Sequence, residues 1–451
     1  MSDNNSKNRY DEQRELLSDT FTAIGQKAEI ILSVGQLLME NGASSDRIVR
    51  VTKRVAAFMG IDEKKFHLHI MYSTLMLNIS DENQSHTSFR KCVKHVVDMR
   101  IISAVSKLSW QALADHYTLE EFQGRLKVIA TRPRFYTEWQ VILAVGVACG
   151  AYCILFGGDI QAAIYTAAAS MLGKIAQIRC GKAGINAYVG MAFAAFTATV
   201  AAYFTHFLPT ETEWHPIIAC ALFLVPGVPI INGLLDLLNT YIVSGASRFL
   251  HTGLIVGGMT FGIVFAIGMF PVVDFTNLRM LPESDYLIFA LNAAIGAMGF
   301  AILFNLPPRL LLAVGIGGAL CVCIKNFLIF ELSCSPQLGT WAGAMTVGII
   351  AVKAIHWLHT PMQVLIVPAV IPLVPGVLIY RFLFAMINIK TLTVGQLLSA
   401  VQSGVDAALI ILAIAIGTAT PRIFARRAFD QHNKEKQERL LHEAYRSNLN
   451  D

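Results

Sequence analysis

Ten apolar runs follow one another between residues 139 and 420, and no other feature of the sequence limits the fold as strongly. A membrane crossing needs about 20 such residues, and each run is close to this length. Inside hydrocarbon every backbone N–H and C=O must be satisfied within the protein, so each crossing run forms a helix. The runs are 139–156, 160–178, 185–207, 216–238, 246–270, 286–305, 310–329, 338–358, 362–387 and 401–420. The sequence therefore predicts an α-helical polytopic membrane protein with ten transmembrane helices.

Charged side chains cluster before residue 137 and after residue 420. The loops that these spans place on the side of the N-terminus are rich in Lys and Arg, which favours a cytoplasmic side. The polar start MSDNNSKNRYDEQRE does not resemble a signal peptide. We therefore expect a multi-pass protein of the plasma (inner) membrane with both termini in the cytoplasm.

The first 135 residues predict a small cytoplasmic α+β domain. Apolar positions recur at helical spacing around residues 26–38 and 45–59, and again in 100–114 and 119–130. Between these helices, residues 66–70 and 75–79 alternate in polarity as strands do, and 87–97 is the predicted partner in a hairpin.

One sequence motif occurs twice, at residues 223–239 and 372–388. The copies FLVPGVPIINGLLDLLN and PLVPGVLIYRFLFAMIN share Leu-Val-Pro-Gly-Val at a constant offset. Proline removes a backbone donor and glycine loosens a helix, so both spans should break at Pro226-Gly227 and Pro375-Gly376. Paired interrupted spans in two halves indicate the binding site of a secondary transporter.

The two copies fall on the fourth and ninth spans, so the repeating unit has five helices. Because five is odd, the second unit is inverted relative to the first, which gives a 5+5 inverted repeat. The predicted divisions are a cytoplasmic domain at 1–135, membrane modules at 136–280 and 281–422, and a charged tail at 423–451.

Polar residues at membrane depth are functional candidates, because they are costly there. We assign to substrate binding the two breaks and the polar residues of the spans that carry them: Pro226, Gly227, Asn232, Asp236, Asn239, Pro375, Gly376, Arg381 and Asn388. Arg381 could bind a carboxylate, and Asp236 an amine. Asp236 and Asp406 are the candidates for carrying a coupling proton. Lys325 and Lys353 lie near predicted helix ends, and we interpret them as side chains that reach water.

With these residues the chain resembles the threonine/serine exporter family, in the form that fuses two modules. The first module is matched by Asn41-Gly42-Ala43-Ser44, the segment 59–62 and the motif at 223–232, and the second by Ile371-Pro-Leu-Val-Pro-Gly376. The resemblance implies a proton-driven exporter of threonine or serine. A split relative associated with succinate export leaves a C4-dicarboxylate as the alternative substrate.

Two other classes of function stay open. An intramembrane hydrolase needs a nucleophile beside a base, and the turns around Ser244 and Ser403 lack the G-x-S-x-G pattern. A membrane scaffold would not need charged residues in its spans. We expect no enzyme activity, cofactor, metal or nucleic-acid partner, since the eight cysteines show no metal spacing and the net charge is only +5. A homo-oligomer stays open.

Overall fold

The computed structural model describes residues 24–80, 85–115, 117–270, 285–358, 360–387, 389–390 and 392–447. These divide into two compact units. The first contains the described residues of Met1–Pro133, Asp236–Ser247 and Ala428–Asp451, and the second those of Arg134–Leu235 and Arg248–Arg427.

The first unit contains the expected α+β fold. Helix α1 is described over 24–40 and is followed by α2 (Ser45–Phe58), α3 (Met99–Ala114) and α4 (Leu119–Thr131). Strands β1 (Phe66–Met71), β2 (Thr74–Ser80) and β3 (Ser85–Lys91) form an antiparallel sheet in the order β1-β2-β3. The third strand is shorter than the predicted segment 87–97, and the predicted turn at 81–83 lies outside the described residues.

The core of this unit lies between the sheet and the helices. Leu75, Leu77 and Ile79 are buried while their neighbours on β2 are half-buried, as a strand with one covered face requires. A Cβ on Gly35 of α1 would lie 2.8 Å from Leu75, so this helix packs closely on the sheet. The positive φ of +87° at Gly42 ends α1 and turns the chain into α2.

The second unit is built from helices. Its elements include α5 (Glu138–Leu155), α6 (Ile160–Lys182), α7 (Ala187–Phe204), α8 (His215–Ala219), α9 (Gly227–Leu238), α10 (Ile242–Met269), α11 (Tyr286–Leu303), α12 (Leu311–Phe330), α13 (Pro336–Leu358), α14 (Met362–Val370), α15 (Gly376–Ile387) and α16 (Val394–Ser447). The ends of α9, α10 and α16 that lie in 236–247 and beyond residue 427 belong to the first unit.

Six of the described helices are long and apolar enough to cross a membrane, and two bent pairs raise the number to eight if each pair counts as one span. The pairs are His215–Leu224 with Gly227–Leu238, bent by 58°, and Met362–Leu373 with Gly376–Ile387, bent by 61°. The two remaining predicted runs lie on α6 and α13, each 23 residues long. A total of ten spans stays a prediction.

The helices have the same neighbours in both modules. In the first, α5 packs on α6 and α6 on α7, and α8 contacts all three. In the second, α11 packs on α12 and α12 on α13, and α14 contacts all three. The helices α5 and α11 pack against each other, where a Cβ on Gly299 would lie 2.7 Å from the carbonyl oxygen of Ala144. This close approach needs a residue without a side chain.

Candidate functional site

The first break lies where the sequence predicts it. The chain leaves a 3₁₀ turn, in which the N–H of Val225 donates to the carbonyl of Leu222 at 3.1 Å. The N–H of Gly227 then donates to Val225 at 2.8 Å. The new helix α9 begins at Gly227, and its first bond runs from Ile230 to the carbonyl of Pro226 at 3.1 Å. Proline, which has no N–H, therefore stands where none is used.

The second break repeats these bonds 149 residues later. Val374 donates to Ile371 at 2.9 Å, Gly376 donates to Val374 at 2.9 Å, and Ile379 donates to Pro375 at 3.1 Å. Helix α15 begins at Gly376. The prediction of a broken span is confirmed in both copies of the motif.

Side chains from neighbouring helices satisfy equivalent carbonyl groups ahead of each break. The hydroxyl of Ser170 on α6 donates to the carbonyl of Cys220 at 2.9 Å. The thiol of Cys321 on α12 donates to the carbonyl of Ala369, 149 residues after Cys220, at 3.3 Å. An interrupted helix inside hydrocarbon requires such partners for its exposed carbonyls.

The two breaks face each other, and their contacts are reciprocal. A Cβ on Gly227 would lie 2.6 Å from the Cδ1 atom of Ile371. A Cβ on Gly376 would lie 3.1 Å from the Cδ2 atom of Leu222, which occupies in the first copy the position of Ile371 in the second. Each glycine therefore makes room for the 3₁₀ turn of the other copy.

A cavity of about 270 Å³ lies beside this crossing. Its lining comes from the two breaks and from the helices α5, α11, α12 and α16. The lining residues are Tyr152, Leu155, Phe156, Leu222, Val225, Gly227, Phe300, Val322, Lys325, Asn326, Ile371, Pro372, Leu373, Val374, Pro375, Gly376, Val377, Leu378 and Ile410. A mostly apolar cavity with a few polar groups is the usual form of a small-molecule site.

Three side chains of this lining are polar, and all three are hydrogen-bond donors. Tyr152 is 6% exposed, and its hydroxyl has no hydrogen-bond partner within the described part of the chain. Asn326 is 7% exposed, and its side chain bonds to no other described residue. The ammonium group of Lys325 likewise has neither a hydrogen bond nor an ion pair with any residue that the structure describes.

The predicted site residues fall in several places. Gly227, Pro375 and Gly376 line the cavity, whereas Pro226 precedes it in the first break. Arg381 is half-buried on α15, one turn beyond the second break.

The other assigned polar residues of this unit have local partners. Asn232 is fully buried on α9, and its carbonyl oxygen accepts a hydrogen bond from the amide of Gln363 at 2.5 Å. Asp406 is half-buried on α16 and accepts a bond from Gln337 at 3.2 Å. Asn388 lies outside the described residues.

Asp236 belongs to the first unit, where its carboxylate is completely buried. Its Oδ1 accepts from the backbone N–H of Ser45 at 2.9 Å, and its Oδ2 accepts from the Ser45 hydroxyl at 2.7 Å. The hydroxyl of Ser244 also donates to Oδ2, at 3.1 Å. Ser45 opens helix α2, so the positive end of the helix dipole adds to these bonds. Asn239, in the same segment, is half-buried.

Sequence reasoning missed Tyr152 and Asn326 and gave Lys325 another role. Tyr152 lies inside an apolar run, and nothing in its neighbourhood in the sequence singles it out. The lysine at position 325 was the available signal, because a cation at membrane depth is functional by default. The structure places it beside a cavity.

Comparison with known proteins covers both modules. Residues 29–270 match a family model described as a threonine/serine exporter (ThrE), and residues 289–424 match a second model described as "Threonine/Serine exporter, ThrE". No solved structure is matched.

Two curated relatives cover the first module. "Probable succinate transporter subunit YjjP" of Escherichia coli (strain K12) is 25% identical over 240 residues, which is 53% of this chain and 92% of that protein. Its namesake from Klebsiella aerogenes is 25% identical over 234 residues, or 51% and 89% of the two chains. An uncharacterized Haemophilus influenzae protein is 19% identical over 394 residues and covers 87% of this chain and 93% of its own length.

Proposed function

Because this chain belongs to the threonine/serine exporter family, in its fused two-module form, we propose that it exports a small carboxylate-bearing metabolite through the cavity at the two breaks. The observation that carries this proposal is the reciprocal contact of Gly227 and Gly376 with the opposite break. Broken helices that meet at a cavity supply backbone groups for a substrate where an unbroken helix would supply none.

The substrate is threonine or serine by the description of the family, and a C4-dicarboxylate by the printed name of the Escherichia coli relative. Both kinds of molecule carry a carboxylate and are small. The cavity of about 270 Å³ lies just below the range of about 300–1,000 Å³ for drug-sized ligands. A metabolite of few heavy atoms suits this volume.

The transport mechanism we propose is alternating access between two inverted five-helix modules. The equal backbone bonding at the breaks and the equal helix neighbours of the two modules support this symmetry. The proton gradient of the plasma membrane drives export, with Asp236 and Asp406 as the candidate proton carriers. Both termini lie in the cytoplasm under this proposal.

Reconstitution tests the proposal. Liposomes containing the purified full-length protein are loaded with labelled serine, threonine or succinate, and release is measured with and without an imposed pH gradient. We expect release of at least one labelled metabolite, faster when the gradient is imposed. The hydrolase and scaffold alternatives predict no release of any of them.

Glycine variants locate the path. Gly227→Val and Gly376→Val place side chains against the opposite break, and we expect each to reduce release to below about a tenth of the wild-type rate. Gly257→Val in α10 is the matched control, because a Cβ there meets nothing within 4 Å. Wild-type release by both break variants, at equal protein density, would contradict a path at the crossing.

A further inference from the structure

The cavity contains a set of polar groups that the fold itself leaves unsatisfied. The hydroxyl of Tyr152, the amide of Asn326 and the ammonium group of Lys325 all line it, and none has a hydrogen-bond partner among the described residues. Proteins rarely bury polar groups without partners, because each one costs desolvation free energy. Three such groups around one space indicate that a ligand completes them.

We infer that Tyr152, Lys325 and Asn326 form a carboxylate-binding site, and that this site favours substrates with a net negative charge over zwitterions. The inference rests on the proposed function and narrows its substrate class to mono- and dicarboxylates.

The donors match a carboxylate in number and in charge. An ionised carboxylate accepts hydrogen bonds only, at two oxygens, and a phenol, an amide and an ammonium group can all donate. The charge on Lys325 makes its bond the strongest of the three. Helix α15 begins at Gly376 in the same lining, so its first N–H groups and its dipole add to the attraction for an anion.

The preference against zwitterions follows from what the lining lacks. None of the described lining residues is Asp or Glu. An amino acid would bring an ammonium group into a cavity that already holds the cation of Lys325 and offers it no carboxylate. Like charges at close range in a medium of low dielectric constant repel strongly, whereas an anion neutralises the lysine.

Ligand binding to the purified full-length protein tests the site without depending on transport. Apparent Kd values for succinate, threonine and the uncharged diamide succinamide are measured by ligand-induced thermal stabilisation. For the wild type we expect succinate to bind at least tenfold more tightly than threonine and to be the best of the three ligands.

Variants of the three donors then identify the groups. Lys325→Met should weaken succinate binding about ten- to hundredfold, the loss of one hydrogen bond to a charged group. Lys325→Arg should retain part of the affinity, and Tyr152→Phe should weaken binding about two- to tenfold. Lys325→Met removes an unpaired buried cation and should fold at least as well as the wild type.

Lys353→Met is the matched control. It removes a lysine of the neighbouring helix α13 that is exposed and does not line the cavity, and it should leave succinate affinity unchanged. Wild-type affinity for succinate in Lys325→Met, or threonine binding as tight as succinate binding in the wild type, would overturn the inference.

The failure of this inference can be told from the failure of the proposed function. If Gly227→Val and Gly376→Val block release while Lys325→Met binds and releases succinate normally, the path stands and the carboxylate site falls. If the glycine variants also release metabolites normally, the proposed path falls with it.

Discussion

A single carboxylate, that of Asp236, joins two parts of the first unit that lie 191 residues apart in the sequence. It accepts three hydrogen bonds, two from Ser45 and one from Ser244, and the two serine hydroxyls also lie 2.9 Å from each other. Removing one partner from such a buried set leaves the others unsatisfied.

We expect Asp236→Asn to lower the stability of the first unit by about 1.5–3 kcal/mol, because an amide replaces one acceptor oxygen by a donor. Ser45→Ala should cost about 1 kcal/mol, because the backbone N–H of residue 45 remains. Ser247→Ala is the control, since its exposed hydroxyl bonds only within its own helix turn. Thermal unfolding monitored by limited proteolysis measures the three changes.

The same variants address transport. If Asp236 carries a proton or binds an amine, Asp236→Asn abolishes release at temperatures where the protein is folded, while Ser45→Ala retains it. Equal, small reductions in both variants would show that this carboxylate has a structural role only.

A second residue-scale prediction concerns Cys92, which lies outside the spans and is 1% exposed. Burial, aided by the charge of Glu40, raises the pKa of the Cys92 thiol to about 12. The reactive thiolate is therefore scarce at pH 8, and iodoacetamide should modify Cys92 at least about a hundredfold more slowly in the folded protein than in denaturant.

Peptide mass spectrometry measures both rates, with Cys334 as the internal reference. Cys334 is half-buried in the loop between α12 and α13 and should react readily in the folded protein. Modification of Cys92 as fast as Cys334 before unfolding would contradict the prediction.

At the scale of helices, close packing depends on individual glycines. A Cβ on Gly262 of α10 would lie 2.0 Å from the carbonyl oxygen of Ala192 on α7, which is backbone and cannot turn aside. A Cβ on Gly257, five residues earlier in the same helix, meets nothing within 4 Å. One helix thus contains both a packed and an open glycine.

Gly262→Ala should therefore destabilise the protein by about 1–3 kcal/mol through overpacking. Gly257→Ala should be neutral or stabilise it by up to about 1 kcal/mol, because alanine is the better helix former. Melting temperatures of the two purified variants, compared with the wild type, decide the matter, and equal shifts would show that α7 and α10 do not pack as described.

Elements were easier to predict than the cavity. Apolar length predicts spans because the bilayer forces backbone bonding into helices, and Pro-Gly predicts the breaks because these residues cannot continue one. The alternation at 75–79 predicts β2 for the same local reason. Tyr152 and Asn326 meet the breaks only through the packing of α5, α11 and α12, which no local pattern in the sequence reveals. The partner of Asp236 was equally hidden, because Ser45 reads as an ordinary residue at the start of a helix.

For the whole molecule, the predicted topology places the loop at Glu211 and the charged helix at Glu435 on opposite sides of the membrane. Cysteines at these two positions, in a background without the native cysteines, should differ in labelling by an impermeant maleimide in intact cells. We expect labelling at position 211 only. Labelling of both positions from outside would contradict ten spans with both termini in the cytoplasm.

The hydrogen bonds between Ser45 and Asp236 also limit where gene fission could divide such a protein. A polypeptide ending at residue 133 would keep the hydroxyl and N–H of Ser45 and lose their acceptor, so its folding would begin with two buried donors unmatched. A division between residues 270 and 285 leaves Ser45, Asp236 and Ser244 in one product. The cytoplasmic domain is therefore inherited together with the spans that follow it, and it is not an independent module that recombination could exchange.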